Sequence, residues 1–146
     1  MTPKALILFS DGGSRNNPGP AAAAFILKNK DGSLIEQRGI YLGEATNNTA
    51  EYEALLAGLR TAEKFNPVSV DCFLDSELVV KQLQGIYRVK ESHLLRLNEQ
   101  IRSLAKLFPA VTYNYIGREK NREADKLVNQ TLDALPRPKG SRSPNE

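Results

Sequence analysis

The sequence predicts an α/β domain of the α+β kind, a five-stranded mixed sheet flanked by about four helices. Three observations point there. Three short apolar runs separated by turn residues open the chain, helical periodicity starts only at Tyr52, and strand-like and helical segments alternate from there on. Hairpin-length turns join the first runs antiparallel, whereas the later connections are long enough to hold helices and so allow parallel neighbours.

The first strand is Leu6-Ile7-Leu8-Phe9-Ser10, which delivers one carboxylate, Asp11, to its end before a turn built from Gly12, Gly13, Asn16, Asn17, Pro18 and Gly19. Ala21 to Leu27 is read as the second strand despite its alanines, because it is short and bounded by turns. Asn29-Lys30-Asp31-Gly32-Ser33 makes a hairpin turn, and Leu34 to Leu42 completes an antiparallel meander. Thr46, Asn47 and Asn48 are alternative N-caps for a first helix with Tyr52, Leu55, Leu56, Leu59 and Ala62 on one face, closed by Pro67. Val68 to Leu74 is a fourth strand, ending in Asp75 just as the first ends in Asp11. A helix from Ser76 to about Gln84 follows. The next carries Leu94, Leu97, Ile101, Leu104 and Phe108 and is stopped by Pro109; Val111 to Ile116 is the fifth strand; Ala124, Leu127, Val128, Thr131, Leu132 and Leu135 mark the last helix. The expected organisation is one domain over residues 1–135, with a disordered basic tail over residues 136–146 that has no apolar face.

Composition narrows the chemistry. A chain of 146 residues, 40% of them hydrophobic, fits one core. No apolar run approaches the ~20 residues that span a bilayer, and no signal-peptide pattern is seen at the amino terminus, so a cytoplasmic, soluble protein is expected. One cysteine and one histidine exclude both an internal disulfide and a zinc site of the usual ligand count. Any metal must be held by oxygen, which suits Mg²⁺ or Mn²⁺. The net charge of +3 leans only mildly towards polyanions.

The carboxylates are where chemistry enters. Asp11 and Asp75 end two strands that a βαβ-type crossover would set side by side, Glu51 falls in the first turn of the first helix, and Asp125 lies near the start of the last. Each has an ordinary explanation by itself: Asp11 as a turn residue, Glu51 as the capping-box partner of Asn48, Asp75 as a helix cap, Asp125 as an acid favoured by the helix dipole. Buried together without a cation they would cost several kcal/mol in repulsion and desolvation, on the order expected for clustered carboxylates, or some would be forced to protonate; a pair of divalent cations removes that cost.

Four stretches, taken jointly, resemble type 1 ribonuclease H. They are Asp11-Gly12-Gly13-Ser14-Arg15-Asn16-Asn17-Pro18-Gly19-Pro20, Thr46-Asn47-Asn48-Thr49-Ala50-Glu51, Asp75-Ser76-Glu77-Leu78-Val79 and Arg118-Glu119-Lys120-Asn121-Arg122-Glu123-Ala124-Asp125. The match runs from about Ala5 to Leu135, and its motifs occur in family order on the elements the fold requires. The resemblance implies a monomeric endonuclease that hydrolyses the RNA strand of an RNA/DNA hybrid, with two Mg²⁺ or Mn²⁺ ions held by Asp11, Glu51, Asp75 and Asp125. It implies 5′-phosphate and 3′-hydroxyl products. It also implies that Gly12, Ser14, Asn47 and Asn48 contact 2′-hydroxyls, the groups that distinguish RNA from DNA, and that Asn17 and Thr46 hold a DNA phosphate.

The sequence departs from the best-known bacterial members at three points. The basic, Trp-containing loop of those members is missing: Gly85 to Glu91 leads directly to the next helix and the chain has no Trp, as in the archaeal-like branch. Arg118 stands in the loop where they carry a mobile histidine, and is expected to bind the scissile phosphate or the leaving group. His93 is read as a surface residue. Glu77 stands where a neutral Gln is common. Two other readings keep the same fold: a non-catalytic RNA- or hybrid-binding module, and an integrase- or resolvase-like nuclease acting on DNA. The clustered carboxylates oppose the first. The chain's length, with no room for the accompanying domains, opposes the second.

Overall fold

The computed structural model describes residues 4–134, so the tail from Pro136 onwards lies outside the described residues. Five strands, β1 (Ala5–Ser14), β2 (Gly19–Asn29), β3 (Leu34–Ala45), β4 (Ser69–Leu74) and β5 (Val111–Tyr115), form one sheet in the order β3-β2-β1-β4-β5. The meander β1-β2-β3 is antiparallel, while β4 pairs parallel with both β1 and β5. Four α-helices connect and cover it: α1 (Asn47–Glu63), α2 (Glu77–Leu83), α3 (Ser92–Ala105) and α4 (Arg122–Asp133). The mixed sheet and its helices are as the sequence predicts.

The main core lies between one face of the sheet and α1, α2 and α3. Leu6 and Leu8 of β1, Val70 and Leu74 of β4, and Tyr52, Leu55 and Leu59 of α1 are all fully buried there. A smaller cluster on the opposite face joins Ala22 and Ala24 of β2 to Val128 and Leu132 of α4. This explains the run Ala21–Ala24, whose composition favours helix. All four alanines are buried, because β2 is packed by α1 on one face and α4 on the other. Small side chains let both helices approach, and that tertiary packing overrides propensity.

Several boundaries differ from the sequence expectation, each for a local reason. β1 does not end at Asp11: Gly12, Gly13 and Ser14 continue the ladder opposite Ala23, Ala22 and Ala21. β3 runs on to Ala45 through a register shift opposite Ala21 and Ala22, where Gly43 takes φ +74°. The helix expected to reach Phe108 ends at Ala105; the amides of Lys106, Leu107 and Phe108 each donate three residues back, tightening the chain into a final turn that still buries Phe108. α4 is preceded by a 3₁₀ turn over Arg118–Lys120 and reaches only Asp133. His93 is exposed, as expected, but lies inside α3 rather than before it.

Candidate active site

At the carboxyl end of β4, and partway along β1, the parallel pairing of the two strands stops at Ser10 opposite Leu74. The next residue of each strand is an acid, so Asp11 and Asp75 emerge side by side. Glu51 reaches them from α1, and one carboxylate oxygen from each of the three lies within 4.8 Å of the others. Asp11 and Glu51 are only 6% and 7% exposed, so their charges are withdrawn from water.

Thr46 is the N-cap of α1, its hydroxyl accepting from the Thr49 amide at 3.2 Å. Glu51 therefore sits in the second turn, not the first, and cannot form a capping box with Asn48. Likewise Ser76, not Asp75, caps α2 by accepting from the Val79 amide at 3.3 Å. Asp75 and Glu51 are thereby free of the local roles that would otherwise account for them. α1 can come this close because Gly12 has no side chain where the Ala50–Glu51 backbone crosses β1.

Burial, then the charge of Asp75, pushes the Asp11 carboxyl up to about 7. Burial, then the charges of Asp11 and Asp75, raises Glu51 well above the ordinary range. One oxygen of Glu51 is buried with no hydrogen-bond partner among the described residues. Three crowded carboxylates, two of them desolvated, and an orphaned oxygen fit a hard cation, which would remove the repulsion and occupy the unpaired oxygen. These three residues can hold a metal ion.

Asp125, from the first turn of α4, is half-buried and lines the same cleft without joining the three-carboxylate cluster. Its charge nevertheless reaches Asp11, raising its proton affinity. The cleft, about 360 Å³, also has Gly12, Ser14, Asn47, Asn48 and Arg118 on its walls. Asn17 and Thr46 are not among its lining residues. Asn17 instead buttresses it: its Oδ1 accepts from the Asn47 amide at 2.9 Å, and Asn47 Oδ1 accepts from the Ser14 amide at 2.7 Å. These two bonds tie the turn after β1 to the start of α1, and among the described residues neither Nδ2 group makes a hydrogen bond. Glu77 points away into a 3.8 Å contact with Lys81.

Sequence reasoning assigned no role to Asn121, which immediately precedes α4. It makes no capping bond; its Nδ2 donates to the Ser10 carbonyl at 2.9 Å and to Asp75 Oδ2 at 3.1 Å. No local sequence signal points to this, because both contacts are to residues distant in the chain.

A meander followed by two parallel crossovers, with acids presented by both central strands and the first helix, defines a ribonuclease H-like domain. A family model described as reverse transcriptase-like matches residues 9–131. The ribonuclease HI of Halobacterium salinarum is 39% identical over 125 residues, covering 86% of this chain and 63% of that protein. The crystal structure of the RNase H1 from that archaeon superposes with a TM-score of 0.87 at 37% identity, covering 90% of this chain and 99% of the solved one. LC11-RNase H1, solved in complex with an RNA/DNA hybrid, gives a TM-score of 0.84 at 38% identity over 88% of this chain and 96% of its own. The bifunctional protein Rv2228c of Mycobacterium tuberculosis is 39% identical over 130 residues, 88% of this chain but 36% of that protein. The chain thus spans about a third to two-thirds of the length of these curated relatives. It belongs to the ribonuclease H family, in its type 1 branch.

Proposed function

We propose that this chain is an endonuclease that hydrolyses the RNA strand of RNA/DNA hybrids, leaving 5′-phosphate and 3′-hydroxyl ends. The observation that carries the proposal is the convergence of Asp11, Glu51 and Asp75 within 4.8 Å at the floor of an open, polar cleft. The naming of its relatives as ribonuclease HI, and the hybrid bound to LC11-RNase H1, support the choice of substrate.

Asp11, Glu51, Asp75 and Asp125 hold Mg²⁺ or Mn²⁺ in this reading. When bound, such ions supply an activated water and electrostatic stabilisation of the leaving oxygen in an in-line displacement at phosphorus. The chain's own groups do the rest. Gly12, Ser14, Asn47 and Asn48 meet 2′-hydroxyls along the cleft wall, where the free amide donor of Asn47 can tell RNA from DNA. Asn17 and Thr46 hold a phosphate of the DNA strand from outside the cleft, and Arg118 binds the scissile phosphate or leaving group. No helix among the described residues is long and apolar enough to cross a membrane. We take the protein to act as a monomer in the cytoplasm.

Incubation with labelled RNA/DNA hybrid, duplex DNA and duplex RNA, with and without Mg²⁺, tests the proposal. Cutting confined to the RNA of the hybrid and dependent on the ion is expected. Cutting of duplex DNA would favour an integrase-like nuclease, and binding without cutting a non-catalytic module; either result overturns the proposal.

A further inference from the structure

The amide of Asn121 is buried, with 1% of the residue exposed, and it is oriented at a cost. Both partners of its Nδ2, the Ser10 carbonyl and Asp75 Oδ2, are acceptors only, which fixes the NH₂ inward and leaves Oδ1 buried without a partner among the described residues. A residue needed only to start α4 would place that oxygen on a helix amide, where asparagine is among the best N-caps. Here the helix goes without a side-chain cap.

The position of the two bonds explains the exchange. Backbone pairing of β1 with β4 ends at Ser10 opposite Leu74, one residue before the acids. Asn121 bridges the strands at the very next step, from a β1 carbonyl to the β4-borne carboxylate, where repulsion between Asp11 and Asp75 pushes them apart. Its backbone carbonyl accepts from the Asp125 amide at 3.1 Å, and its own amide donates to the Arg118 carbonyl at 3.0 Å. One residue thus ties the Asp75 carboxylate and the strand bearing Asp11 to the turns that carry Asp125 and Arg118. A neutral donor suits this place. A lysine or arginine would compete with a cation for Asp75, and an alkyl side chain would release it.

We propose that Asn121 is a positioning residue, which sets the separation and orientation of Asp75 relative to Asp11 and thereby the affinity of the site for a divalent ion. This rests on the hybrid-cleaving, metal-dependent reading of the site.

The test compares the full chain with Asn121→Ala and Asn121→Ser, measuring Mg²⁺ binding by calorimetry without nucleic acid and cleavage of hybrid over a range of Mg²⁺ concentrations. Loss of a side chain that orients a metal ligand is expected to weaken Mg²⁺ binding and lower kcat by about ten- to a hundredfold. KM for the hybrid should stay within about twofold, since Asn121 is buried and is not among the residues lining the cleft. High Mg²⁺ should recover part of the lost rate. In an Asp75→Asn background, Asn121→Ala should change Mg²⁺ affinity by less than about twofold, because the charged carboxylate whose position it sets is already gone. Unchanged Mg²⁺ affinity in a folded variant, an undiminished effect in the Asp75→Asn background, or loss of the fold in both variants would each overturn the proposal, the last by making Asn121 a purely structural residue. Should the parent bind Mg²⁺ yet fail to cut hybrid, the proposed function fails while the calorimetry still decides the role of Asn121.

Discussion

Gly12 and Ala50 are in such close backbone contact that a methyl group on Gly12 would lie 2.2 Å from the Ala50 carbonyl carbon and 2.4 Å from the Glu51 amide nitrogen. Neither atom belongs to a flexible side chain, so an added methyl can be accommodated only if α1 moves off β1. That movement would carry Glu51 away from Asp11 and Asp75.

Gly12→Ala is therefore expected to damage stability and activity together. Overpacking of this kind costs about 1–3 kcal/mol, or about 3–10 °C in Tm for a domain of this size. Cleavage should fall further than the stability loss explains, because the displaced helix carries Glu51, one of the proposed metal ligands. A variant with parental Tm and parental cleavage would mean that α1 tolerates the shift.

This contact is also where the sequence was most misleading. The pair Gly12-Gly13 after an apolar run reads as turn chemistry, and the reading is wrong because the glycine serves close approach of a helix 38 residues further on, a relationship that no local pattern contains. Glu51 was misplaced by half a turn for a similar reason: Thr46, Asn47 and Asn48 are all good caps, and Asn47 is withdrawn from that role by its bond to the Ser14 amide. What was legible is what depends on period and order. The alternating strands, the stripe Tyr52-Leu55-Leu56-Leu59 and the repeated strand-then-aspartate pattern led to the right sheet and to three carboxylates that the fold brings together. Asn121 stayed invisible because its function lies in two contacts 46 and 111 residues away in sequence.

Metal-free stability should depend on pH through the buried acids. Asp11 is raised from 3.8 to about 7 in the folded chain, so the folded state binds its proton more tightly than the unfolded state does. This contribution is fully present below pH ~4 and is lost as pH rises through ~7. At about 1.4 kcal/mol per pK unit its ceiling is about 4 kcal/mol, shared with Glu51, whose shift has the same sign. Asp11→Asn in the presence of a chelator should accordingly melt above the parent at pH 8 but not at pH 4, while abolishing cleavage. Mg²⁺ should raise the Tm of the parent at pH 8 and leave that of the variant nearly unchanged. Equal melting of the two proteins at both pH values would show that the carboxylates do not strain the fold.

Hybrid binding should weaken steadily with salt. α2 is joined to α3 by the short segment Gln84–Glu91 with no additional helix, so the grip relies on cations near the cleft. Each phosphate they neutralise contributes about −0.7 to −0.9 to the slope of log K against log salt. Truncation after Leu135 removes Arg137, Lys139 and Arg142 and is expected to leave Tm within a few degrees, at most lowering that slope. A flat salt dependence would remove phosphate contacts from the account, and a collapse of Tm would make the last eleven residues part of the fold.

Arg118 opens the 3₁₀ turn that precedes α4, is exposed, and lines the cleft together with Asp11, Asp75 and Asp125. Among the described residues it makes no ion pair with any of these acids, so its guanidinium is available to a phosphate. It stays charged at any working pH and so cannot carry protons, but it can stabilise charge that develops on the phosphate or the leaving oxygen. Arg118→Ala should slow cleavage by about ten- to a thousandfold, equivalent to about 1.4–4 kcal/mol of transition-state stabilisation, without changing the shape of the pH–rate profile. Single-turnover rates at saturating hybrid separate this role from simple binding, because saturation cancels any loss of affinity. If Arg118→Ala reaches the parental rate at saturation and differs only in the hybrid concentration needed to get there, Arg118 belongs to the binding surface and the developing charge is stabilised without it.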